Sequence, residues 1–205
     1  MEKEKDYLKD IQDIRNMMDK STQFLSLSGL SGIMAGIYAL IGAAAGKYIY
    51  NLNYGRYITL ESDSFKAIVA IATGVLILSV LTAYILTATK AKKRGDSIWN
   101  STSKRLLVNF LIPLVTGGIF TLLLIKNRYY GLISPITLIF YGLACINASK
   151  YTLRDVRYLG ITITIIGLIA TAYMGYGLEF WALGFGVCHI VYGTVMYFKY
   201  DRKEK

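Results

Sequence analysis

Leu106-Leu-Val-Asn-Phe-Leu-Ile-Pro-Leu-Val-Thr-Gly-Gly-Ile-Phe-Thr-Leu-Leu-Leu-Ile125 runs for 20 residues without a charge. Lys126-Asn127-Arg128 interrupts it, and a second uncharged run follows at once over residues 129–148. About 20 such residues, rising 1.5 Å each as a helix, cross the ~30 Å hydrocarbon core of a bilayer. Two of them three residues apart read as a tight helical hairpin. Each run holds one of the two prolines, Pro113 and Pro135. A membrane helix tolerates the lost backbone bond because neighbouring groups can satisfy the carbonyl it frees.

Working outward, four more apolar runs of similar length occupy residues 24–48, 67–89, 158–176 and 179–198. The last two are separated only by Gly177-Leu178. The pattern predicts an all-α polytopic membrane protein with six transmembrane helices in three hairpins. The expected organisation is a cytoplasmic amphipathic helix over 1–23, a six-helix bundle over 24–198, and a basic tail over 199–205. Composition agrees. Apolar residues make up 54% of the chain and charged residues 18%, against about 25% charged in soluble domains. The charges sit in the terminal segments, the short connections and the edges of the runs. A soluble protein would spread them over amphipathic faces.

The net charge of +10 has two readings, a nucleic-acid surface or the Lys/Arg-rich cytoplasmic loops of a membrane protein. The basic residues cluster beside apolar runs, which favours the second and predicts no nucleic-acid partner. With the N-terminus inside, 18 Lys and Arg lie on the cytoplasmic side and 5 on the other. That bias predicts both termini inside. Tyr48, Tyr50, Tyr54, Tyr57, Tyr129, Tyr130, Tyr173, Tyr176 and Trp181 mark the outer boundary. Trp99, Tyr151, Tyr158, Tyr197 and Tyr200 mark the inner one. The only sizeable outer loop, 51–66, is too short for a domain, and Tyr57-Ile58-Thr59-Leu60 within it suits a short extended piece.

No apolar segment follows a short basic start, so a cleavable signal peptide is not expected. Tyr7, Leu8, Ile11, Ile14 and Met18 recur at helical spacing, and Lys9 with Asp13 and Arg15 with Asp19 are four apart. Such a helix suits the headgroup region or a cytoplasmic protein partner held through residues 1–20. Cys145 and Cys188 lie inside apolar runs and form no disulfide framework.

Lipid supplies no hydrophobic drive between helices, so small residues that let backbones approach dominate packing. Ser28, Gly32 and Gly36 are spaced by four in the first run, and Gly186 and Gly193 give the sixth a flat face. These faces suit packing within one chain or a homo-oligomer seam.

Few groups could carry chemistry. His189 is the only histidine and falls mid-run, where an ionisable residue is a functional hypothesis by default. Tyr192, three residues on, shares its helix face. Asn109 and Asn147 are the other strongly polar groups within the runs. The connection after Asn147 gathers Lys150, Arg154, Asp155 and Arg157, which suits a phosphate or lipid headgroup or an ordinary positive-inside loop. One His and two separated Cys do not supply a closed zinc site, and neither metal nor cofactor is expected. There is no P-loop, zincin motif, nucleophile elbow or carboxylate pair, so an enzyme is not expected. No run carries Asp or Glu except Glu179 at an edge, which disfavours ion-coupled transport.

Ser26-Leu-Ser-Gly-Leu-Ser-Gly32, Asn147-Ala-Ser-Lys-Tyr-Thr-Leu153 with Arg157-Tyr-Leu-Gly160, and Gly184-Phe-Gly-Val-Cys-His189 with Tyr192-Gly193 carry a resemblance. Over nearly its whole length the chain resembles a family of small six-helix bacterial inner-membrane proteins without an assigned activity. The resemblance implies a bacterial inner membrane and supplies no catalytic residues. Two functions stay open. One is an interaction or regulatory membrane protein acting through its cytoplasmic face. The other is a small uncoupled channel or transporter with His189 in the path.

Overall fold

The computed structural model describes residues 24, 26–53, 62–95 and 97–202. The expected amphipathic helix at 1–23, the partner contact through 1–20 and the extended piece at 57–60 lie outside the described residues. Six helices follow: α1 (Gly29–Leu52), α2 (Asp63–Arg94), α3 (Ser101–Lys126), α4 (Ile133–Ala148), α5 (Asp155–Ala172) and α6 (Met174–Asp201). Single 3₁₀ turns, Tyr130–Leu132 and Ser149–Tyr151, extend α4 at both ends. With them counted, all six helices among the described residues are long and apolar enough to cross a membrane.

Local chemistry sets the helix ends. The Ser62 hydroxyl accepts from the Phe65 N–H to start α2, and Gly95 ends it in the left-handed region at φ 72°. Asn100 and Ser103 form a reciprocal capping box at the start of α3. Its C-terminus closes with Arg128 left-handed at φ 64°. The Tyr129 N–H bonds the Leu124 carbonyl, and the Arg128 N–H bonds that of Ile125. This is the double-bonded Schellman cap, built on a non-glycine residue. It folds Lys126-Asn127-Arg128 into a turn.

The first apolar run begins at 24, yet α1 begins only at Gly29. Phe24 and Ser28, before it, are extended. The Phe24 N–H bonds the Tyr151 carbonyl at 2.8 Å, and the Thr152 hydroxyl donates to the Phe24 carbonyl at 2.7 Å. The chain before α1 is thus stitched to the turn after α4.

Glycines decide which helices meet. A Cβ added to Gly142 would stand 2.6 Å from the Gly160 carbonyl, and one added to Gly160 2.6 Å from that of Gly142. Helices α4 and α5 therefore touch backbone to backbone. The same holds for α1 and α6. A Cβ on Gly36 would meet the Gly186 carbonyl at 2.6 Å, and one on Gly193 the Ile33 nitrogen at 2.5 Å. Side-chain layers of Leu138, Leu159 and Ile163, and of Cys145, Leu153, Val156 and Met196, fill the space among α4, α5 and α6.

The remaining two helices are peripheral. The side chain of Val75 in α2 fits over Gly42 of α1, and Gly117 of α3 lies under Phe140 of α4. The neighbours run α2, α1, α6, α5, α4, α3, and among the described residues the two flanking helices make no extensive contact with one another. Ala91 is the only buried residue of α2. Its Leu76, Val80 and Ile85 are each more than half exposed, a surface that is costly in water and compatible with hydrocarbon. The most intimate pairs are α4 with α5, which are neighbours in sequence, and α1 with α6, the first and last of the six helices.

Candidate functional site

The sixth helix changes its winding where its histidine needs it to. Residues Ala182–Val187 form a wider π turn, in which the Cys188 N–H bonds the Leu183 carbonyl. The His189 Nδ1 reaches back to the Gly184 carbonyl at 3.0 Å, and Nε2 lies 2.7 Å from the Tyr141 hydroxyl of α4. A carbonyl only accepts, so Nδ1 carries the proton, Nε2 is the acceptor, and Tyr141 donates. Phe185 stacks beside the imidazole with centroids 6.1 Å apart. The residue is 6% exposed. Both of its nitrogens are spent on the protein, in the neutral form that a membrane interior favours.

Tyr192 shares that helix face but does not bond His189. Its hydroxyl is buried without a hydrogen-bond partner among the described residues, between the side chains of the two core layers. The partner of His189 is Tyr141, which sequence reasoning missed.

The structure does bring Asn109 and Asn147 together. The Asn147 side-chain amide donates to the Asn109 backbone carbonyl at 2.9 Å. That carbonyl lies four residues before Pro113, and proline has no N–H to reach it. Asn147 thus satisfies the acceptor that Pro113 leaves open, while the Asn109 side chain turns back to the Arg105 carbonyl at 2.8 Å. The other proline costs α4 nothing of this kind, since Pro135 lies in its first turn, where N–H groups have no helical partner. Threonines 73, 89, 116, 121, 164, 171 and 194 likewise bond carbonyls of their own helices.

Polar and charged groups collect instead at the end of the bundle that holds Phe24 and Asp201. Of the loop residues singled out, Asp155 accepts from the Lys199 amine at 2.8 Å and from the Tyr200 hydroxyl at 2.6 Å. Lys150, Arg154 and Arg157 are exposed. The same end holds a second cluster that the sequence did not announce. The Lys90 amine donates to the Asp201 carboxylate at 2.6 Å and to the Leu27 carbonyl at 3.1 Å. The other Asp201 oxygen accepts from the Gly29 N–H at 2.9 Å, with the Ser28 hydroxyl at 3.4 Å. Only 11% of the Lys90 and 13% of the Asp201 side chain is exposed. The carboxylate takes the place of an N-cap for α1, whose Ser28 side chain makes no cap bond, and it lies where the helix dipole favours an anion.

The packing residues fall together. Gly32 and Gly36 of α1 face Gly193 and Gly186 of α6, and Ser28 precedes the first turn of α1. At the opposite end Lys47 pairs with Glu179 at 2.5 Å, and the Ser134 hydroxyl bonds the Gly177 carbonyl.

Chemically, then, the described interior carries neutral polar groups, bonded within the protein except for the Tyr192 hydroxyl, and the ion pairs lie at its ends. Among the described residues no three His, Cys, Asp or Glu come together as metal ligands would. Six helices of this length and polarity define the class, a multi-pass helical membrane protein. Comparison with protein-family models, with curated proteins and with solved structures returns no match, so the family likeness read from the sequence stays a resemblance.

Proposed function

We propose that this chain is an integral membrane protein of the bacterial inner membrane that acts by docking a partner at its cytoplasmic face, without catalysis. The observation that carries this reading is the closure of the polar interior around His189. Both ring nitrogens bond within the protein, so the only histidine of the chain has no valence left for a passing solute. That weighs against the channel or transporter alternative.

The cytoplasmic assignment belongs to the end bearing Phe24 and Asp201. Lys92, Lys93, Lys104, Arg105, Lys150, Arg154, Arg157 and Arg202 are exposed there, and the described carboxylates at that end, Asp155 and Asp201, are occupied by Lys199 and Lys90. An excess of cations suits the positive-inside rule with both termini inside, and it suits an acidic protein segment as the docked partner. The amphipathic pattern over 1–23 would add an apolar stripe to the same face.

A photo-crosslinking amino acid at position 154 and another at position 47 test the reading in cells. Adducts of one defined mass are expected from position 154 only, and they should disappear in an Arg154→Glu/Arg157→Glu chain and on removal of residues 1–20. Equal adducts from both positions, or adducts indifferent to these changes, would overturn it. For the alternative, purified chain in proteoliposomes should pass no small solute faster than empty vesicles. A flux abolished by His189→Ala would replace the docking reading with the transport one.

A further inference from the structure

We propose that the groove where the 97–99 link leaves α2 is a seat for one anionic phospholipid, its phosphate on Lys92 and its acyl chains along the open face of α2. The groove encloses about 480 Å³ and is lined by Ala88, Thr89, Lys92, Ser97, Ile98 and Trp99. Its chemistry divides as a lipid divides at the headgroup boundary. Lys92 offers a cation, and the Ser97 hydroxyl lies beside it, donating weakly to the Trp99 carbonyl at 3.4 Å. Ala88 and Ile98 are apolar, and the Thr89 hydroxyl is already spent on the Ile85 carbonyl at 2.8 Å. Trp99 is 60% exposed, and tryptophan is a side chain that settles at headgroup level.

Charge selects among lipids. Lys90, two residues earlier, is consumed by Asp201, whereas the Lys92 amine makes no ion pair or hydrogen bond among the described residues. No described carboxylate lines the groove. The helix below it supplies the tail path. From Ala88 the same face continues at helical spacing through Ile85, Leu81 and Ile77, each more than half exposed. Eleven residues at 1.5 Å give roughly 16 Å, close to half of a ~30 Å hydrocarbon core. Among the described residues α2 and α3 make no extensive contact with each other, which leaves this path open. The proposal rests on the membrane placement of the six helices and is independent of the docking reading.

The chain has two tryptophans, so Trp181→Phe leaves Trp99 as its only indole. This full-length chain, in phosphatidylcholine nanodiscs at low salt, is compared with rising fractions of brominated phosphatidylglycerol and of brominated phosphatidylcholine. Half-quenching of Trp99 is expected at an about five-fold lower fraction of the anionic lipid, the gain of one lysine near a headgroup. Lys92→Gln should bring the two curves together, Lys92→Arg should keep them apart, and Lys47→Gln at the opposite end should change nothing. Equal quenching by both lipids in the parent chain overturns the proposal, as does a gap that survives Lys92→Gln. Loss of the gap on adding millimolar inorganic phosphate also overturns it, by marking a free-anion site instead.

Discussion

Asn147 and Pro113 act as one device written on two helices. Proline at 113 removes the N–H that the Asn109 carbonyl would have bonded, and Asn147 returns a donor from α4. Asn147→Leu should therefore cost about 1 kcal/mol, within the range for an interhelical bond in membrane proteins. In the Pro113→Ala background, where the backbone N–H is restored at 113, the same change should cost close to nothing. A double-mutant cycle read by unfolding in mixed detergent micelles checks this, and equal costs in the two backgrounds would sink it. Tyr141→Phe strips the donor from His189 Nε2 and should cost a similar amount, about 0.6–1.7 kcal/mol. Much of this was legible only in halves. The offset of four between 109 and 113 is arithmetic in the sequence, and both asparagines stand out by polarity. The helix that supplies the missing donor is a matter of tertiary register. His189 was equally visible as the single histidine. Its partner was not, because Tyr141 is one of 17 tyrosines and nothing local separates it from the interfacial ones.

Between elements, the glycines act by absence, and their effects should depend on what lies opposite. Gly193→Ala and Gly142→Ala would push a methyl to within 2.3–2.5 Å of a neighbouring helix. Each should destabilise by about 1–3 kcal/mol, the usual cost of overpacking a close contact. Gly74 and Gly118 face open space, so alanine there should be tolerated within about 0.5 kcal/mol. Thermal unfolding of the four variants in one detergent should sort them into these two groups. A third element-level test concerns the α3–α4 turn. Arg128 holds the left-handed position of a cap that glycine fills at less steric cost. Arg128→Gly relieves about 1–2 kcal/mol of left-handed strain against roughly 0.5–1 kcal/mol of added chain entropy, so it should stabilise the chain slightly, and a loss of stability would show that the arginine side chain contributes more than its backbone costs. The small-residue spacing of the first run and the run lengths were readable because they are local properties. The start of α1 at Gly29 was not, since an interaction with Tyr151 and Thr152 ends the helix early. The π turn at Ala182–Val187 was also hidden, because a widened turn leaves the apolar pattern almost unchanged.

For the whole molecule, the Lys90–Asp201 pair ties together what packing leaves loose. Helix α2 is peripheral and leans on α1 through small contacts such as Val75 on Gly42. At one end Phe65 meets the Tyr130 ring at 5.6 Å. At the other, Lys90 grips both the last described turn of α6 and the backbone just before α1. Removing one partner of a pair so little exposed leaves an uncompensated charge, which costs about 3–5 kcal/mol in buried settings. Lys90→Met should approach the lower part of that range, because the Asp201 carboxylate keeps the Gly29 N–H. Replacing both partners with apolar residues, Lys90→Met with Asp201→Leu, should recover most of the loss, as buried pairs replaced by hydrophobes often do. Recovery should stop short by about 1 kcal/mol, because α1 then lacks the acceptor at its N-terminus. Hydrogen exchange of the full chain in nanodiscs gives the spatial readout. In Lys90→Met, the amides of α2 near position 90 should exchange faster, while those around Gly142 and Gly160 keep their protection. Uniform acceleration through α4 and α5 would mean that the pair supports the entire bundle, and unchanged exchange in α2 would mean that lipid alone holds that helix in place.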